Sequence, residues 1–72
     1  MRKMTRKEIK EWSKNIAEAY ENGHSIYLCL KEAAKMLELD WKKVERAYQF
    51  IRFREYDAET VEEILMKGIV GE

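Results

Sequence analysis

Proline is absent from these 72 residues, and glycine occurs only at positions 23, 68 and 71. With no proline, and with glycines beside apparent helix ends rather than in a repeating turn pattern, the chain reads as all-α. Cysteine occurs once, as Cys29, which excludes an intramolecular disulfide. Histidine also occurs once, as His24, and there is no HExxH, CxxC or glycine-rich phosphate loop. Metal and nucleotide chemistry therefore have nothing to rest on, and no cofactor is expected. No apolar stretch follows the basic start MRKMTRK, so neither secretion nor membrane insertion is indicated and a cytoplasmic protein is expected.

A chain this short buries only about 60–65% of the surface its unfolded form exposes. A deep substrate pocket would consume the interior that holds the fold together, so an enzyme is not expected and no catalytic residue is nominated. Cys29 reads as a small buried hydrophobe, with no histidine near it in sequence to activate it. Charged residues make up 39% of the chain, with one Gln and two Asn, a composition that leans toward heat-adapted proteins.

Net charge is zero, but the charges alternate in blocks. Residues 1–14 carry +4, 15–40 carry −3, 41–54 carry +4 and 55–72 carry −5. A basic surface therefore forms if the fold brings the first and third blocks together.

Helix starts are marked by repeated capping signals. Thr5 with Glu8 has the spacing of a capping box, flanked by Met4 and Ile9 as a hydrophobic staple. Ser25, Asp40 and Asp57 are the next N-cap candidates, the last two with Leu39/Val44 and Tyr56/Val61 as staples. Gly23 supplies a left-handed residue past the first helix. The pattern predicts a single helical domain over 1–72, with helices at about 6–22, 26–37, 41–55 and 58–67. The run Ile26 to Leu30 is short and apolar enough to be extended, but no second strand is available to pair with it. In the first helix Ile9, Trp12, Ile16, Ala19 and Tyr20 form the predicted buried stripe.

Only Glu38, Leu39 and Asp40 separate the second and third helices, which suits two helices crossing steeply. The segment 30–49, LKEAAKMLELDWKKVERAYQ, resembles the twenty-residue helix-turn-helix signature of bacterial, archaeal and phage DNA-binding proteins. Ala34 stands where the two helices touch, Leu37 and Leu39 flank the turn, and Val44 and Ala47 lie on the inner face of the second helix. Glu38 stands where the family prefers glycine, because the backbone there often takes positive φ. The resemblance covers under a third of the chain. It implies a small DNA-binding protein, a transcriptional regulator acting as a homodimer on double-stranded DNA, with helix 41–55 in the major groove.

At 100° per residue, Trp41, Val44, Ala47, Tyr48 and Ile51 fall on one side of that helix. Lys42, Arg46, Gln49 and Phe53 fall on the other, with Lys43 and Phe50 beside them. Arg46 then suits a guanine edge, Gln49 an adenine, and Lys42 and Lys43 phosphates. Arg2, Lys3 and Arg6 would add backbone contacts from the N terminus. Each of these residues also has the plain reading of a solvated helix face. Phe50 and Phe53 do not fit that reading, and three accounts compete for them: cover by helix 4 or helix 1, cover by a second subunit, or stacking on bases. The first is preferred, because a short connection lets helix 4 fold back across helix 3. The acidic fourth block is expected to point away from any phosphate backbone. The alternative function is a helical protein-interaction or assembly module that binds no nucleic acid.

Overall fold

The structure, a computed structural model, describes residues 6–51 and 55–69. It contains α1 (Arg6–Glu21), α2 (Ile26–Met36), α3 (Trp41–Phe50) and α4 (Ala58–Met66), with no strand among the described residues. The fold is all-α. Thr5 and Met4 of the first cap lie outside the described residues.

The other three helices begin at the capping residues. The Ser25 hydroxyl accepts from Leu28 N–H at 3.3 Å, Asp40 from Lys42 N–H at 3.1 Å, and Asp57 from Thr60 N–H at 2.8 Å. Each satisfies a donor left over at the helix start.

Two of the helix ends are closed by one device. After α1, His24 N–H reaches Ala19 O and Gly23 N–H reaches Tyr20 O, both at 3.0 Å, with Gly23 at φ +98°. After α2, Leu39 N–H reaches Ala34 O at 2.8 Å and Glu38 N–H points to Lys35 O at 3.4 Å, with Glu38 at φ +59°. These paired bonds form the Schellman closure, in which a left-handed residue turns the chain out of the helix. Glu38 is the single non-glycine residue with positive φ among the described residues.

The core combines Ile9 and Ile16 of α1, Leu30 of α2, Val44 of α3, and Ile64 and Leu65 of α4. α1 packs chiefly on α4. Its buried side is Ile9, Ser13, Ile16 and Ala17. The predicted stripe is thus rotated: Trp12 and Ala19 are half-buried and Tyr20 is exposed. Small residues at positions 13 and 17 leave room for close approach, and the Ser13 hydroxyl is satisfied by donating to Ile9 O at 2.7 Å.

Helix α3 stops at Phe50, earlier than the predicted end at 55. The reason is tertiary. Tyr48 and Tyr56 stack with ring centroids 5.7 Å apart, whereas residues eight apart in a continuous helix are separated by about 12 Å along the axis. The chain must leave the helix between them for the rings to meet. The other helix ends agree with prediction to within one residue.

Candidate functional site

Helices α2 and α3 are locked together by aromatic side chains. Tyr27 of α2 meets Trp41 edge-on at 5.4 Å and tilts against Tyr48 at 5.9 Å. Tyr48 continues onto Tyr56, and Tyr56 meets Tyr20 of α1 edge-on at 5.2 Å. This chain of rings fixes one side of α3 to α1 and α2, so the opposite side is presented at a set orientation.

Tyr27 has a second role. Its hydroxyl donates to Glu45 Oε2 at 3.1 Å. Glu45 is the only acidic residue of α3, and this bond ties its carboxylate toward α2. The same bond, followed by burial and the carboxylate charge, raises the Tyr27 phenol above its ordinary value.

On the other side of α3, Lys42, Lys43, Arg46, Gln49 and Phe50 are all exposed. Val44 is fully buried, and Trp41, Ala47, Tyr48 and Ile51 are half-buried against the core. Phe50 is 84% exposed, which overturns the preferred expectation that α4 or α1 covers it. Helix α4 spends its apolar side on α1 and its end meets α3 at the buried Val44, so neither α1 nor α4 covers Phe50. Phe53, Arg2 and Lys3 lie outside the described residues. Arg6 is exposed, and its Nη1 donates to Met66 Sδ at the end of α4 at 3.4 Å.

Gly68 explains how α4 reaches α3. A methyl group there would collide with Val44 Cγ2 and press on Leu39 Cβ at 3.1 Å and Asp40 O at 3.2 Å. Its carbonyl accepts from Asp40 N–H at 2.8 Å. The end of α4 is therefore seated against the turn between α2 and α3. One consequence was not legible in the sequence: Lys67, the sole base of the acidic fourth block, lines a surface hollow of ≈ 410 Å³ with Lys43, Arg46, Ala47 and Phe50. A second hollow, of ≈ 440 Å³, is lined by Arg46, Gln49 and Phe50.

Elsewhere, α2 exposes Leu28 and Met36 beside a broader hollow that also includes Lys31, Lys35 and Trp41. Cys29 is half-buried, and burial, with Glu32 adding to it, pushes its thiol above the ordinary value. That disfavours the thiolate a nucleophile needs. His24 is exposed in the first connection. Among the described residues no group of three or more His, Cys, Asp or Glu side chains is arranged to hold a metal, and no helix is long and apolar enough to cross a membrane. Compared with protein-family models, curated proteins and solved structures, the chain gives no match.

Proposed function

We propose that this protein is a helix-turn-helix DNA-binding protein, a cytoplasmic transcriptional regulator that places α3 in the major groove of double-stranded DNA. The observation that carries this reading is the outward side of α3. Lys42, Lys43, Arg46 and Gln49 are all exposed there, while the helix's one carboxylate is tied to Tyr27. Glu45 lies on the flank of α3 that faces α2, and the bond from Tyr27 holds it there. The outward side therefore carries no carboxylate of α3, and it is a surface that phosphates attract and that base edges can hydrogen-bond.

Glu38 supports the reading independently. The family resemblance asks for a residue with positive φ at that turn position, and Glu38 adopts φ +59° although it is not glycine. Lys67 enlarges the basic surface beyond α3. A ten-residue helix is about 15 Å long and spans only a few base pairs, so specific affinity calls for two copies on two half-sites about one helical turn apart.

Fluorescence anisotropy with a randomised duplex tests the proposal. Affinity is expected to fall by about 0.9 log units per tenfold rise in salt for each phosphate neutralised. Arg46→Ala is expected to weaken binding to a selected site by roughly ten-fold, the size of one lost base contact, and to weaken binding to random duplex less. If no duplex is bound at low salt, the reading fails.

The second reading, a protein-interaction module, draws its support from α2. Leu28 is 62% exposed and Met36 58% exposed, and the two line one hollow with Trp41 that a partner would cover. It predicts a stable complex whose affinity responds to Leu28→Ser and is indifferent to Arg46→Ala.

A further inference from the structure

The exposed Phe50 is not explained by phosphate attraction or by hydrogen bonding to bases, and the charges around it decide what it meets. We propose that Phe50 reads the C5-methyl group of a thymine, so that α3 recognises a guanine followed within about two steps by an A·T pair. This inference rests on the DNA-binding reading given above.

Arg46, Gln49 and Phe50 stand at i, i+3 and i+4, one stripe of a helix, and the three side chains line one hollow. They are three different chemistries: a two-pronged donor, an amide that both donates and accepts, and an apolar ring. The major groove offers the matching set. Guanine presents two acceptors, adenine an acceptor beside a donor, and thymine the only methyl group displayed there. Adenine and thymine of one pair present their features side by side, and Gln49 and Phe50 line one hollow. Arg46 and Phe50 are about 6 Å apart along the helix axis, close to two base-pair steps of 3.4 Å.

A second copy of the chain is a poorer occupant. A two-fold pairing centred on this hollow brings the cluster of Lys43, Arg46 and Lys67 against the same cluster of the second copy. Like charges facing each other across an apolar contact oppose it. The same three cations suit a groove walled by phosphates.

The test uses the full chain and a duplex selected from a randomised library. Each thymine of that duplex is replaced in turn by deoxyuridine, which removes the methyl group alone. Wild type is expected to lose about four-fold in affinity at one position, the worth of burying one methyl group. Phe50→Ala is expected to bind more weakly and to be indifferent to that replacement, while Phe50→Leu keeps the discrimination. Because Phe50 is 84% exposed, neither variant threatens the fold. Wild type that ignores deoxyuridine at every position, or Phe50→Ala that still discriminates, overturns the assignment while leaving DNA binding intact. A wild-type dimer that Phe50→Ala dissociates in sedimentation assigns the ring to a subunit interface and also overturns it. Failure of wild type to bind any duplex at low salt is a different result, which removes the DNA reading and this inference together.

Discussion

Glu38 holds a conformation that its chemistry disfavours. A side chain in the left-handed region brings Cβ too near the following carbonyl, at a cost of about 1 kcal/mol or more. The residue stays at φ +59° because the two bonds that close α2 and the burial of Leu37 and Leu39 on either side leave the turn no alternative. Glycine carries no such penalty, although it gains freedom in the unfolded chain. Glu38→Gly is therefore expected to raise unfolding stability by about 0.5–1 kcal/mol, and Glu38→Val to lower it, as read from urea midpoints at unchanged slope. Gly23 provides the comparison. It occupies the equivalent place after α1 at φ +98°, so Gly23→Ala should lose stability where Glu38→Gly gains it. If Glu38→Gly is neutral or destabilising, the turn is not strained.

At the scale of the helices, what was legible in the sequence is what local contacts decide. Ser25, Asp40 and Asp57 accept bonds from N–H groups only two or three residues ahead, so residue type and spacing are enough to find them. The two sides of α3 were legible for the same reason, since a period of 3.6 needs no knowledge of the fold. The end of α3 was hidden because it is set by Tyr48 stacking on Tyr56. The buried side of α1 was hidden because α4, distant in sequence, determines where Ser13 and Ala17 must lie. Tyr27, which ties Glu45 back, and Lys67, which joins the basic surface, belong to the candidate site through tertiary contacts alone. Gly68 makes the second of these contacts possible. Gly68→Ala is expected to cost about 1–3 kcal/mol, as overpacking does, because Val44 and Leu39 are buried and cannot step aside. Chemical denaturation checks the magnitude. A cost below about 0.5 kcal/mol would mean that the end of α4 is not seated on the turn.

Across the whole molecule, neutrality conceals a division of charge. The outward side of α3 is basic, whereas Glu59, Glu62 and Glu63 of α4 line a single hollow with Met66 and Lys67. Lys67 also lines the hollow beside Phe50, so it stands where the acidic hollow and the basic one meet. A duplex bound along α3 then feels attraction from one surface and repulsion from the other. The two respond differently to salt. Contacts at α3 are close, while the carboxylates of α4 act across solvent, where screening sets in at about 10 Å in 0.1 M salt. Glu63→Gln removes one exposed negative charge without touching α3. It is expected to raise duplex affinity by about two-fold at 20 mM salt, an advantage that fades toward 200 mM as the Debye length shortens. Lys67→Gln, placed where the surfaces meet, is expected to lower affinity over the same range and to reduce the salt slope by about one phosphate contact. Anisotropy titrations of both variants across that range decide the matter. Equal affinities for Glu63→Gln and wild type at 20 mM salt would show that α4 lies outside the field of the bound duplex, and an unchanged salt slope for Lys67→Gln would take Lys67 out of the DNA surface.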